Sequence, residues 1–461
     1  MVALLSTLSV YGQSIDTVQF THVSEYLYEA ILPYSCYSAK FDSQERTYLY
    51  TANVELGIVS FDISDMQTPI PVDTILPAEF NGLKPTNLWH EGDLLYASLG
   101  GIQGLNAQEA GLAIMDVADP TDLSIVDQWS SPTYSEGAAV VIVDGDHAYL
   151  GGMEEGVLIL DISTPTDIQF VSRGLMDENF PQIPGLFSHP NARGLSIRND
   201  TLMVCNDAGG LRMMDVTDKL NPIEIGKYVN PDLFAIAQPA YNNVLLVDEY
   251  AYIPVDYCGL DVVDVSDTAM INVAWSNPWG CEGANWNGRP GHTNEIERVG
   301  EDLIFVSGAD TEILAYDISD RENPILVGEY AFVGDSTVSW GVSANDQYVV
   351  LSLVNNSVFQ QPYYSDVGGI MILEWQVILG IDEIRQQEFK VYPNPATDQI
   401  SIETDESGHV TIIDGLGRLV YDAGGIPIGL HTIECGDWSR GTFFVTIETE
   451  NERIFRKLIL P

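Results

Sequence analysis

Gly156-Val-Leu-Ile-Leu-Asp161-Ile-Ser163 is one member of a set. Gly57-Ile-Val-Ser-Phe-Asp62-Ile-Ser64, Gly111-Leu-Ala-Ile-Met-Asp116-Val-Ala118, Gly210-Leu-Arg-Met-Met-Asp215-Val-Thr217 and Gly259-Leu-Asp-Val-Val-Asp264-Val-Ser266 share its order: glycine, four largely apolar residues, aspartate, a β-branched residue and a small one. Glu312-Ile-Leu-Ala-Tyr-Asp317-Ile-Ser319 is a sixth copy with Glu in place of Gly, and Gly369-Ile-Met-Ile-Leu-Glu374-Trp375 is a degenerate seventh. Six steps from Asp62 to Glu374 cover 312 residues, a mean period of 52. That period fits the blades of a β-propeller and exceeds the leucine-rich and ankyrin periods.

Outward from the third copy, the chain reads as a four-stranded unit. Ala138 to Val143 is an apolar inner strand, Asp144-Gly145-Asp146 a turn, and His147 to Gly151 a second strand. Gly156 to Ile162 is the third strand, Thr164-Pro165-Thr166-Asp167 a turn, and Ile168 to Ser172 the outer strand. These β-branched, glycine-punctuated segments are too short for helices. A unit that is apolar on both faces cannot bury itself alone, so seven stack around an axis. The recurring aspartate reads as a turn residue whose carboxylate accepts backbone N–H groups. The seventh unit lacks an outer strand, whereas Thr17-Val-Gln-Phe-Thr-His-Val-Ser24 resembles the outer strands Ile168-Gln-Phe-Val-Ser172 and Pro324-Ile-Leu-Val-Gly328. The N-terminal strand is therefore expected to complete blade seven, which closes the ring and removes an exposed edge.

The glycine, the apolar run and the Asp-Val/Ile-Ser exit together resemble the LVIVD repeat of bacterial and archaeal surface proteins, over residues about 17 to 376. The resemblance implies the fold and carries no single activity. The expected fold class is all-β: a seven-bladed β-propeller over residues 13–376, a linker at 377–388, and a small Ig-like β-sandwich at 389–461.

The composition shifts after Trp375. Seven of the 19 basic residues fall beyond residue 380, and Gln376 to Gln387 reads as the linker. Short alternating strands follow, at Gln399 to Glu403, Val410 to Asp414, Gly417 to Tyr421, Thr442 to Glu448 and Ile454 to Leu460, the pattern of a small sandwich. Tyr392-Pro393-Asn394-Pro395-Ala396, the turn Asp414-Gly415-Leu416-Gly417-Arg418, the strand Gly441-Thr-Phe-Phe-Val-Thr-Ile447 and the ending Lys457-Leu458-Ile459 resemble the type A sorting domain of the Bacteroidetes type IX secretion system. That resemblance implies that the secretion machinery is a partner of residues 389–461. It also implies recognition at the outer membrane, proteolytic removal of the domain, and release or attachment at the cell surface.

The 461 residues carry 19 Lys and Arg against 67 Asp and Glu, a formal charge of −48. Such a chain lacks the clustered cations that a nucleic-acid backbone or an anionic membrane demands. With 45% hydrophobic residues, 40 glycines and 23 prolines it reads as a folded, turn-rich β protein. Residues 1–12 read as a signal peptide truncated at its start, with Val10 and Gly12 at the −3 and −1 positions of cleavage. No run of about 20 apolar residues suggests a transmembrane segment. The expected location is secreted or at the cell surface. Of the five cysteines, Cys258 and Cys281 are expected to form a disulfide in an oxidising compartment, with Cys36, Cys205 and Cys435 as buried thiols.

Loop lengths separate two faces. Connections between strands one and two are short throughout, as at Arg198-Asn199-Asp200 and Asp248-Glu249-Tyr250. The long insertions, Leu99 to Ala110, Gly174 to Ala192, Ser276 to Thr293 and Asn355 to Gly368, all emerge on the opposite face, where binding is built on rigid scaffolds. They carry the aromatics Phe187, Trp279, Trp286, Tyr363 and Tyr364, which suit a glycan or peptide ligand. His189-Pro-Asn191 and His292-Thr-Asn294 precede inner strands of blades four and six, while Asp207, Asp256 and Asp310 end second strands on the same face. Imidazole with carboxylate suits a divalent cation such as zinc, and carboxylates alone suit calcium. No nucleophile elbow, zinc-protease helix, phosphate loop or EF-hand appears. The expected function is binding or adhesion, with an extracellular hydrolase or lyase at the channel mouth as the alternative.

Overall fold

The computed structural model describes residues 17–28, 35–101, 108–181, 191–234, 240–256, 258–276, 292–309, 313–331, 337–355, 365, 367–378, 390–404, 407–414, 418–448 and 453–461. The chain divides into two compact units, Met1–Ile378 and Leu379–Pro461.

Within the first unit the described residues form seven four-stranded antiparallel sheets. The repeat motif is the third strand of each blade, as in Val157–Asp161, Leu211–Asp215 and Gly259–Asp264. Its apolar residues are buried almost without alternation because neighbouring blades cover both faces of the sheet. The outer strands, such as Gln169–Gly174 and Ile223–Tyr228, are half-exposed because one edge faces solvent. The motif glycine has its own cause. At Gly57, φ is +83° and a Cβ would sit 2.0 Å from the Ile75 carbonyl oxygen at the end of the outer strand, so only glycine fits.

The recurring aspartate is a turn residue, as its position suggests. Asp62, Asp116, Asp161, Asp215, Asp264 and Asp317 each accept the backbone N–H two residues on, at 2.7–2.9 Å. Asp65, Asp119, Asp218, Asp267 and Asp320 repeat the arrangement three residues later. Two successive Asx turns thus bring the chain from the third strand to the outer one.

The N-terminal strand completes the seventh blade. Thr17–Leu27 runs antiparallel to Gly369–Ile378, with Thr17 opposite Ile378 and Leu27 opposite Gly369, and one irregularity at His22/Ser24. The seventh blade's third strand continues to Ile378, two residues into the stretch read from sequence as a linker, because Val377 and Ile378 pair with Val18 and Thr17. Val18 and Phe20 enter the core between blades six and seven, where the Phe20 ring meets Phe305 edge-on at 5.3 Å. A separate apolar cluster lies in each junction between consecutive blades. The seventh junction joins Val350, Ile370 and Ile372 of the last blade to Ala39, Leu49 and Phe61 of the first, so the ring is closed.

The second unit pairs a three-stranded sheet (Lys390–Tyr392, Gln399–Thr404, Gly429–Glu434) with a four-stranded one (Leu419–Ile426, Gly408–Asp414, Gly441–Glu448, Arg453–Leu460). Ile400, Ile402 and Ile433 of the first meet Val410, Ile412, Phe443 and Val445 of the second in one core. Lys390–Tyr392 and Gly429–Glu434 are strands that the sequence pattern does not reveal.

Deleting residues 13 to 26 removes the fourth strand of the closing blade and exposes the edge of Gly369–Ile378. The truncated chain is expected to aggregate or to lose cooperative unfolding by circular dichroism and scattering, whereas melting identical to the full chain would contradict closure by this strand.

Candidate functional site

Two departures from the apolar repeat moor the connections on the long-loop face. The second apolar position of the motif holds Arg212 in blade four and Asp261 in blade five, both fully buried. Arg212 Nε donates to Gly209 O at 2.7 Å, Nη1 to Glu224 Oε1 at 2.5 Å and Nη2 to Phe180 O at 2.7 Å. The guanidinium also lies over the Phe180 ring at 5.0 Å, which ties the chain leaving blade three to blade four. Asp261 accepts from Asn272 Nδ2 at 2.6 Å, Asn230 Nδ2 at 3.2 Å, and the Tyr228 and Tyr241 hydroxyls at 3.2 and 3.4 Å. Asn230 and Tyr241 belong to the connection from blade four to blade five, and Tyr241 bridges by backbone pairing to both Asp207 and Val255. Buried charges are held here by full sets of partners, the condition under which they are tolerated.

At the axis, the inner strands of four blades are cross-linked by polar side chains. Asn87 of blade two donates to Glu295 Oε1 of blade six at 2.9 Å, and the Val342 N–H of blade seven approaches Glu295 Oε2 at 3.3 Å. Lys40 of blade one donates to Glu297 Oε2 at 3.2 Å and to Val342 O at 3.4 Å. Burial among protein atoms pushes the Glu295 carboxyl up, against Lys40 and its hydrogen bonds. Burial also works against the Lys40 ammonium, but Glu297 and Glu295 outweigh it and its pKa is raised.

Above this column, at the long-loop ends of the inner strands, a pocket of about 30 Å³ is lined by Asn87, Arg193, Asn242, Asn294, Glu295 and Trp340 among others. The Arg193 guanidinium carbon lies over the Trp340 ring, 5.6 Å from its centroid, and Tyr37 meets Trp340 edge-on at 5.1 Å. Asn242 uses its Nδ2 on Thr293 O at 2.6 Å, and among the described residues its Oδ1 has no partner and Asn294 Nδ2 makes no hydrogen bond. A larger cleft of about 500 Å³ opens between blades four and five on the short-turn face, floored by Met203, Met213 and Leu246. No buried polar atom lacking a partner lines that cleft among the described residues.

Of the residues singled out from sequence, Phe187, His189, Trp279, Cys281, Trp286, Asp310, Tyr363 and Tyr364 lie outside the described residues. His292 opens the inner strand of blade six, its backbone opposite Ala309, and its side chain is likewise outside the described set. Asp207 and Asp256 are buried on the long-loop face, and Asn191 Nδ2 contacts Asp207 Oδ2 at 3.3 Å. Burial raises the Asp207 carboxyl and Asp256 adds to the rise, while Arg193 and Asn191 oppose it. Among the described residues no group of three His, Cys, Asp or Glu is placed to hold a metal ion. Cys258 is disulfide-bonded, and Cys36, Cys205 and Cys435 are buried free thiols. Arg193, Trp340, Asn242, Lys40 and Glu295 escape a reading of the sequence alone. Their signal is positional: each is a polar or amphipathic residue on or beside an inner strand, the strand of the blade that faces the axis.

A closed ring of seven four-stranded sheets defines the first unit as a β-propeller. Residues 137–174 and 241–276 match the LVIVD repeat, and residues 390–461 match the secretion system C-terminal sorting domain. The chain thus carries LVIVD repeats on a propeller and a C-terminal sorting domain, the mark of type IX export to the cell surface or extracellular space. Among solved structures, the WD40 repeats of RRP9 align with 8% identity over 77% of this chain and 100% of that one, at a TM-score of 0.53. The C-terminal WD40 domain of Sif2 aligns with 12% identity over 76% and 98%, at 0.48, and YCF48 from Cyanidioschyzon merolae with 9% over 77% and 98%, also at 0.48. The RRP9 repeats, at 8% identity, share the fold alone with this chain. None of the curated proteins matches the chain. Among the described residues no helix is long and apolar enough to cross a membrane.

Burial pushes the Asp261 carboxyl up to about 7, outweighing its four donors. The folded chain therefore keeps a proton that the unfolded chain has released, so this residue's contribution to stability declines as pH rises from about 4 to about 7. Asp261→Asn removes that titration. Melting temperatures at pH 5 and pH 7.5 are expected to differ less in the variant than in the parent, and equal pH slopes would contradict the assignment.

Proposed function

We propose that the protein is a secreted or surface-attached binding propeller that takes a glycan or a peptide on its long-loop face. The observation that carries this reading is the axial pocket. It gathers side chains from several blades, and it holds buried polar atoms, Asn242 Oδ1 and Asn294 Nδ2, that have no partner among the described residues. Such groups are costly unless something meets them. On this reading the aromatics Phe187, Trp279, Trp286, Tyr363 and Tyr364 supply contact area around the mouth. A Cys258–Cys281 disulfide braces the loop before blade six, and Asp207 and Asp256 with His189, His292 and Asp310 recruit a divalent cation. The sorting domain is removed on export, and the propeller is released or held at the surface.

Glycan and peptide arrays probed with the propeller, with and without calcium or zinc, test the reading. Saturable binding that is lost when the loop aromatics are replaced by alanine is expected, and silence on both arrays would contradict it. Removing residues 389–461 is expected to leave a folded propeller in the periplasm, by fractionation and immunoblot. Arrival of the truncated chain at the surface would show that export does not depend on the tail.

A further inference from the structure

The pocket at the axial mouth has a definite chemistry. In a chain with 67 acidic residues, the Arg193 guanidinium makes neither an ion pair nor a hydrogen bond among the described residues. It lies instead over the Trp340 ring, 5.6 Å from its centroid, which leaves its N–H donors uncommitted to any acceptor among the described residues. Asn294, 3% exposed, presents an unpartnered Nδ2 donor, and Asn242, 5% exposed, presents an unpartnered Oδ1 acceptor whose orientation is fixed by the bond from its own Nδ2 to Thr293 O. All three line the same pocket of about 30 Å³. A water needs about 10–15 Å³ measured this way, so the space admits two water-sized groups. The two oxygens of a carboxylate fit with the rest of its chain at the mouth, whereas a whole tetrahedral oxyanion or sugar ring does not. Glu295 also lines the pocket, but its two oxygens are engaged by Asn87 and the Val342 N–H, and Lys40 lies beside it on Glu297.

Resting on the reading of the long-loop face as a binding surface, we propose that this pocket receives the C-terminal carboxylate of a peptide entering end-on. Arg193 and Asn294 Nδ2 donate to the two carboxylate oxygens, and Asn242 Oδ1 accepts the N–H of the last residue, which lies two bonds from the carboxylate carbon. Backbone capture of a chain end is a recurrent recognition mode, and a planar guanidinium matches a carboxylate in two places. Electrostatics selects the chain end over an acidic polysaccharide. A polyuronate brings a carboxylate with every ring to a protein of net charge −48 with Asp207 and Asp256 beside the mouth. A peptide end brings one, and a neutral or basic remainder is attracted by the same field.

The test uses the full chain on an array of peptides tethered by their N-termini, the last four positions randomised, each present with a free carboxylate and as the C-terminal amide. Oligomers of a uronate and of a neutral hexose form a second arm. Free carboxylates are expected to bind roughly tenfold or more tighter than their amides, and Arg193→Gln to lose a similar factor for the free acids alone with unchanged melting. Arg193→Lys, which keeps the charge but not the fork, is expected to fall between the two and serves if the glutamine variant folds poorly. Equal binding of acids and amides, an unaffected Arg193→Gln, or preference for the uronate overturns the proposal. Binding of neutral hexoses or amides that ignores Arg193 would do so while leaving the binding-propeller reading intact. No binding in either arm overturns both.

Discussion

Ten residue pairs between Thr17–Leu27 and Gly369–Ile378 hold the two ends of the ring together, and the architecture depends on them. Each blade is covered on both faces only because it has two neighbours, so a ring left open would expose an apolar face at each end. The closing pairs work with packing: Val18 and Phe20 sit in the same apolar cluster as Phe305, Leu351 and Met371. Because the strand comes from one end of the repeat array and its partner from the other, closure couples the first and last parts of the propeller into one cooperative body.

Rigidity at the perimeter positions polarity at the axis. Inner strands from opposite sides of the ring approach closely enough for Asn87 to reach Glu295, and both residues line the axial pocket. The chain is strongly acidic, yet its axis holds Lys40 and Arg193 at fixed places, one paired with Glu297 and the other resting on Trp340. Buried charges a layer further out, Arg212 and Asp261, fasten the connections that surround the mouth. The fold thus provides a fixed polar centre and moored connections around it, in a protein bound for the cell exterior.

The sequence is legible where the physics is local and repeated. Gly57 and its equivalents report a backbone approach, the aspartates report an Asx turn, and the apolar run reports burial on two faces, each many times over. The closing strand is legible because Thr17 to Ser24 resembles other outer strands. The axial pocket is not, because its residues come from single positions in different blades and mean nothing until the ring is closed. Arg193 follows Ala192 in an unremarkable stretch, and only the fold sets its guanidinium against Trp340. Arg212 and Asp261 stand in plain view as breaks in the motif, but their partners Phe180, Asn230 and Tyr241 lie in connections whose path the repeat does not dictate.

Native-state hydrogen exchange on the full chain tests closure most directly. If Thr17–Leu27 is an integral strand of the seventh blade, its paired amides exchange as slowly as those of Gly369–Ile378 and only through global unfolding of the propeller, with the same denaturant dependence. Fast exchange of residues 17 to 27 beside a protected Tyr348–Leu353 would mean that the ring stands without its N-terminal strand, and would contradict closure of the propeller by that strand.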